Sequence, residues 1–216
     1  MNMNITIFGA SGAIGQLVTR LALDHGDFVK AYVRNSHKIS LKHPNLSFVQ
    51  GELSNATTIE QAVAKSDVVI STLGPASDMS RKLKGTPIAD GHELMIRAMK
   101  KHNKTRLITL ATPALQSDDD KKNMSTILPG VMAKVFLPNG YAEMKKMEGI
   151  IKQSNLDWTV VRIINPNVKH KGQSYDYSFG DQSAKLSVSR ENVANIMYAA
   201  TRDNHMIRKM PIVYNK

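Results

Sequence analysis

The string N-I-T-I-F-G-A-S-G-A-I-G-Q-L-V, Asn4 to Val18, decides how the chain folds. Ile5 to Phe8 is apolar or β-branched, with Thr6 its only polar member, and predicts a short buried strand. Gly9, Gly12 and Gly15 follow, and Gln16 to Leu23 then carries apolar residues at helical spacing. Strand, glycine turn and helix together are the setting in which such glycines bind a dinucleotide. Gly9 turns sharply off the strand, Gly12 leaves no Cβ in the way of a pyrophosphate, and Gly15 lets the helix lie close to the sheet. The first helical residues, Ala13 and Ile14 among them, present free N–H groups and the positive end of the helix dipole to the diphosphate. The spacing is G-x-x-G-x-x-G and not the commoner G-x-G-x-x-G, so a glycine-rich turn of some other α/β protein is the competing reading. A mononucleotide P-loop is excluded, because no G-K-[ST] closes the turn.

The 216 residues suit one α/β domain with a substantial core, and an apolar content of 42% argues against disorder. No run of eighteen apolar residues occurs, so no membrane span and no membrane partner are expected. The first strand begins within a few residues of Met1, which leaves no room for a secretory signal. Cysteine is absent, which excludes disulfides and thiol chemistry and fits a cytoplasmic setting. The formal net charge of +11 suits nucleic acid or a polyanionic cofactor. The lysines are dispersed (Lys82 and Lys84, Lys100, Lys101 and Lys104, Lys145 and Lys146, Lys169 and Lys171) and aromatics are only 6%, so specific nucleic-acid binding is not expected.

Strands are expected at Phe28–Val33, Leu46–Gln50, Asp67–Leu73, Arg106–Ala111, Leu156–Ile163 and Pro211–Tyr214. Helices are expected at Thr57–Ala64, Pro87–Lys101, Tyr141–Gln153 and from Ser189 to Ala200, with Ser189 as N-cap. Residues Ala76–Gly85 read as a loop at the cofactor mouth. Asp118-Asp119-Asp120 reads as a solvated loop, since adjacent residues cannot all point at one cation. The apolar segment Thr126–Leu137, with Met132, Val135, Phe136 and Leu137, is a pocket wall, plain core or a dimer patch. Tyr175, Tyr177 and Phe179 alternate as a short exposed strand. None of the seven histidines, His92 and His102 included, stands at metal-ligand spacing, so all read as surface or packing residues. No repeat or linker interrupts the pattern, and residues 1–216 are expected to form one domain.

The second strand ends on Arg34, with Lys38 beyond it and no Asp or Glu between Phe28 and Gly51. NAD-selective folds carry an acidic residue at this strand end for the ribose hydroxyls. A guanidinium matches a 2′-phosphate by charge and fork geometry, which points to NADP. Ser11 is placed to donate a hydroxyl to the same phosphate, and the alternative is that Arg34 is a solvated loop charge. Thr72, Leu73 and Gly74, at the end of the fourth strand, are expected beside the adenosine or its ribose.

G-A-S-G-A-I-G, V-R-N, V-V-I-S-T-L-G, S-N-L-D-W-T-V-V-R-I-I-N-P and V-S-R-E-N-V-A occur in that order. Together they resemble the atypical short-chain dehydrogenase/reductase group, the NAD(P)-binding proteins similar to NmrA and to the biliverdin-IXβ/flavin reductases. The resemblance implies a Rossmann-type, mostly parallel sheet flanked by helices, with a small C-terminal substrate lobe. It implies an NADP(H)-dependent oxidoreductase acting on a small organic acceptor such as a flavin, quinone or enone, as monomer or homodimer. The alternatives are a redox-sensing regulatory protein similar to NmrA and a sugar epimerase/dehydratase-like enzyme. Carried over by position, Gly9, Gly12 and Gly15 hold the pyrophosphate and Arg34 the 2′-phosphate. Thr112 falls where the wider superfamily orients substrate by a hydroxyl, and Tyr141 with Lys145 forms the Y-x-x-x-K pair that supplies a proton. The group often carries its helix lysine four residues before the glutamate that here is Glu148; that position is Met144, so Lys145 stands one residue out of register.

Overall fold

The computed structural model describes residues 2–36, 39–74, 85–167 and 174–216. Expectations placed on Lys38, His37, the loop 76–84, Lys169, His170 and Lys171 lie outside the described residues. Strand β1 (Asn4–Phe8) leads into helix α1 (Ala13–Asp24), then β2 (Phe28–Val33) and β3 (Leu46–Gln50). Helix α2 (Ala56–Val63), β4 (Val68–Ser71), α3 (Pro87–Lys101) and β5 (Arg106–Ala111) follow. After β5 come α4 (Met124–Phe136), α5 (Pro138–Lys152), β6 (Asp157–Arg162) and β7 (Pro166–Asn167). The chain closes with β8 (Tyr175–Ser178), β9 (Val188–Ser189), α6 (Arg190–Ala199) and β10 (Ile212–Asn215).

The main sheet runs β3-β2-β1-β4-β5-β6-β10-β8, parallel except for β8, which pairs antiparallel with β10. Strands β7 and β9 form a separate parallel pair. The order reverses between β1 and β4, which opens a crevice beyond their carboxyl ends. Successive side chains of a strand face opposite sides, so each inner strand feeds two cores. Ile5, Ile7, Val29 and Ile70 pack toward α1 and α6, with Val18, Ala22, Ile196 and Met197. Phe8, Val69 and Leu107 pack toward α2, α3 and α5, with Ile59, Met95, Met99, Met147 and Ile151.

Several joints are polar. Asn55 caps α2 by accepting from Thr58 N–H, and Ser189 caps α6 through Asn192 N–H, as expected. Helix α3 takes no cap from Thr86. The buried Glu143 carboxylate of α5 accepts instead from Ile88 N–H (3.1 Å) and Ala89 N–H (2.8 Å). Asp27, buried ahead of β2, accepts from Met3 N–H, the Tyr198 hydroxyl and the Arg202 guanidinium, and so ties both ends of the chain together.

Three expectations are corrected. Asp118, Asp119 and Asp120 are not uniformly solvated: Asp120 turns inward, and its carboxylate receives both terminal nitrogens of the fully buried Arg162, at 2.6 and 2.7 Å. Asp118 and Asp119 stay outside and pair with Lys152 and Lys209. For Thr126–Leu137 the plain-core reading falls beyond the buried Thr126. The segment is the outer part of α4 and its exit, and its large apolar side chains are exposed. The β8 strand is half-buried, because Tyr175, Tyr177 and Phe179 lie on the first core.

Candidate functional site

The turn after β1 is built by exclusion. Gly9 has φ +78°, which side-chain-bearing residues rarely adopt. Its carbonyl accepts from Gly12 N–H at 2.9 Å and shares the Thr72 hydroxyl with the Phe8 carbonyl, at 3.1 and 3.0 Å. Thr72 thus clamps the turn to the end of β4. At Gly15 a Cβ would drive into the Gly9 carbonyl and stand 2.9 Å from Ala10 Cα, so the helix sits on the turn only without a side chain there. At Gly12, the N-cap of α1, a Cβ would meet only Gly9 O, at 3.2 Å. No side chain caps α1, and the N–H groups of Ala13, Ile14 and Gly15 have no acceptor among the described residues. Three donors without an acceptor among the described residues, at the positive end of a twelve-residue helix, fit a diphosphate.

A cleft of about 490 Å³ opens beside this turn. Gly9, Ser11, Gly12, Thr72, Leu73 and Gly74 form one side of it, and Tyr32, Val33 and Arg34 another. Gly51, Glu52, Leu53 and Ser54 close the β3 end, with Pro87, Ile88, Asp90 and Leu94 of α3 opposite. The cofactor residues expected from sequence therefore converge: the cleft takes all of them except Ala13, Ile14 and Gly15, which lie in the first turn of α1. The exposed Arg34 has no carboxylate partner among the described residues. Asp90 faces the same cleft but is paired with Lys146.

The β3 end was not foreseen as part of the site. Glu52 follows directly on the acid-free stretch that had suggested NADP, and it lines the same cleft as Arg34. The Tyr32 hydroxyl donates to the Glu52 carbonyl (2.8 Å) and lies 2.8 Å from Thr58 Oγ1, which locks the turn. Burial pushes the Tyr32 phenol up, against the Thr58 hydrogen bond, so it stays a donor. A Cβ at Gly51 would collide with that phenol. The available signal was the strand order: β3 beside β2 brings Gly51 next to Arg34 at the carboxyl edge of the sheet.

The candidate catalytic residues lie elsewhere on that edge. Thr112 is exposed just past β5, and its hydroxyl accepts from Ala114 N–H at 3.4 Å. Tyr141 and Lys145 share a face of α5 one turn apart. Tyr141 is half-buried against the second core. Lys145 is held by Glu148 at 2.7 Å, and Met144 is buried in the core. None of the three lines the cleft. His92 is a packing residue as expected, fully buried between the Ile88 carbonyl (2.8 Å) and the Thr109 hydroxyl (2.9 Å). Among the described residues no cluster of His, Asp or Glu could hold a metal ion.

The model of the NAD(P)H-binding family matches residues 9–204. This chain belongs to that family. The NAD(P)H-binding assignment covers the glycine turn, the cleft and α6, and the resemblance to atypical short-chain dehydrogenase/reductases holds. A wide-type short-chain dehydrogenase/reductase from Veillonella parvula, solved in complex with NADP, superposes with a TM-score of 0.78. Its identity is 21%, over 99% of this chain and 94% of that one. ChuY, an anaerobilin reductase from Escherichia coli O157:H7, superposes with a TM-score of 0.73 at 19% identity, over 97% of this chain and 96% of that one. At such identities the likeness is one of fold. A probable pinoresinol-lariciresinol reductase 3 from Arabidopsis thaliana is 32% identical over 83 residues, which are 37% of this chain and 27% of that protein's length.

Proposed function

We propose that the chain is an NADP(H)-dependent reductase that passes hydride to a small organic acceptor such as a flavin, quinone or enone. Arg34 carries the reading: its guanidinium, with no carboxylate partner among the described residues, lines the same cleft as the glycine turn. In this proposal the N–H groups of Ala13, Ile14 and Gly15 hold the diphosphate, while Arg34 and the Ser11 hydroxyl take the 2′-phosphate. Thr72, Leu73 and Gly74 shape the wall beside the adenosine ribose, and Thr72 keeps the turn closed. NADPH when bound supplies the hydride from C4 of its nicotinamide. Thr112, Tyr141 and Lys145 stand as the hydroxyl, the proton donor and its basic partner for a carbonyl acceptor. With Lys145 engaged by Glu148, an acceptor that takes its proton from solvent suits the site better, and positioning then supplies most of the rate.

The test compares dissociation constants for NADPH and NADH in the wild type and in Arg34→Ala. A charge-assisted hydrogen bond here is worth about 1.5–3 kcal/mol. NADPH affinity is expected to fall by roughly ten- to a hundredfold in the variant, with NADH unchanged. Equal wild-type affinities would remove the NADP reading. Oxidation of NADPH with a member of a flavin, quinone and enone panel supports the reductase. One stoichiometric protein partner with no turnover across that panel would point instead to a redox-sensing regulator.

A further inference from the structure

We propose that the outward face of α4 docks the protein on an anionic lipid surface. A globular helix hides its apolar stripe and shows its polar face; α4 does the reverse. Its buried residues are Ser125 and Thr126. Met124, Ile127, Val131, Val135 and Phe136 point outward, with Val135 66% exposed. Met124, Ile127, Val131 and Val135, at intervals of three and four, make one continuous stripe along the helix, and Phe136 is exposed off that stripe at the helix end. With Met132 and Leu137 they expose on the order of 600 Å² of apolar side chain around the outer part of the helix.

The orientation is locked. Asn123 accepts from the N–H groups of Ser125 and Thr126, while the Thr126 hydroxyl bonds back to the Asn123 N–H and the Lys121 carbonyl. The Ser125 hydroxyl accepts from Ala184 N–H at 3.1 Å, which pins the helix to the segment before β9. Turning the stripe inward would break all of these bonds.

Charge selects the occupant. From Lys121 to Ala142 the chain has three cations, Lys121, Lys122 and Lys134, and no carboxylate. Lys134 stands three residues after Val131 and seven after Ile127, on the flank of the stripe. Lys122 and Lys134 have no carboxylate partner among the described residues. A second copy placed on this face would bring like charges together in a chain of net charge +11. An anionic bilayer accepts both the apolar stripe and the lysines beside it. Such a contact needs no spanning helix, and no described helix is long and apolar enough to cross a membrane. The proposal sets aside the sequence expectation of no membrane partner, and it does not depend on the hydride acceptor.

The test is co-sedimentation of the full chain with phosphatidylcholine vesicles, with and without phosphatidylglycerol at about 30% of the lipid. Binding is expected to be on the order of a hundredfold tighter to the anionic vesicles and weakened by high salt. Val131→Asp/Val135→Asp and Lys134→Glu are expected to lose it, with thermal midpoint and NADPH affinity unchanged, since these side chains touch neither the core nor the cleft. Absence of binding, or equal binding to neutral vesicles, would overturn the proposal. So would a homodimer in sedimentation velocity that the same substitutions dissociate, since the face would then belong to a second copy.

Discussion

A methyl group added at Gly15 would be driven into the Gly9 carbonyl, whereas at Gly12 it would need only a few tenths of an ångström. The two substitutions therefore separate packing from binding. Gly15→Ala is expected to destabilise the fold by about 1–3 kcal/mol, as overpacking against backbone does. Gly12→Ala is expected to leave the urea midpoint nearly unchanged while weakening NADPH, because its methyl stands over the free N–H groups of α1. Equal losses of stability in both would show that Gly12 is also a packing position. Tyr141 allows an equally sharp measurement. A general acid contributes roughly 10²–10⁴ in rate. With the phenol packed on the core and Lys145 held by Glu148, Tyr141→Phe is expected to change kcat by no more than a few-fold. A larger loss at unchanged NADPH affinity would make Tyr141 the acid.

The elements around the site are fastened by buried charge as well as by apolar packing. Arg162, at the end of β6, receives Asp120 in a two-pronged pair and also donates to the Met210 carbonyl at 2.8 Å. The pair draws the loop ahead of α4 onto the carboxyl edge of the sheet. Removing one partner leaves the other charge buried, which costs about 3–5 kcal/mol. Asp120→Ala is expected to lose stability on that scale in urea titration. Asp119→Ala, whose partner Lys209 is exposed, is expected to stay within about 0.5 kcal/mol of wild type. Similar effects for the two would mean that the Arg162 pair contributes no more than a surface one. Glu143 plays a comparable part between α5 and α3, because its carboxylate holds the helix start that carries Pro87 and Ile88 into the cleft wall.

Over the whole molecule, acid should weaken the fold in two stages. His92 is fully buried, and burial lowers its pKa below the ordinary 6.5. The native state therefore stays neutral where the unfolded chain takes up a proton, and stability falls as pH drops below about 6.5. For Asp27, burial raises the pKa, but the hydrogen bonds from Met3, Arg202 and Tyr198 and the Arg202 charge outweigh it, and the net shift is below 3.8. Its contribution is full above that value and is lost as pH falls through the folded pKa. Burial, and after it the same carboxylate, push the Tyr198 phenol up to about 12. Unfolding free energies measured between pH 7.5 and 5.5 should decline in the wild type and decline less in His92→Gln. An equal decline in the variant would remove His92 as the cause. Because Asp27 joins Met3 to Tyr198 and Arg202, residues 1–216 are expected to unfold in one transition.

Local rules were enough for much of this protein. The strand before Gly9, the helix after it, the span Pro87–Lys101 and the Ser189 cap are each set by residues that are neighbours in sequence, and each stands where the pattern puts it. That the glycine turn and Arg34 would meet at one edge was legible for the same reason, since both sit at strand ends. The rest depended on residues far apart in the chain. Gly51–Ser54 joined the cleft only because β3 lies beside β2, and Asp120 left its two neighbours because Arg162 waits forty-two residues away. The outward stripe of α4 left pocket wall, core and dimer patch open in the sequence, because apolar spacing records that a face will be covered and not what covers it. Partners distant in sequence carry no local signal, so only the assembled sheet could decide which side chains met.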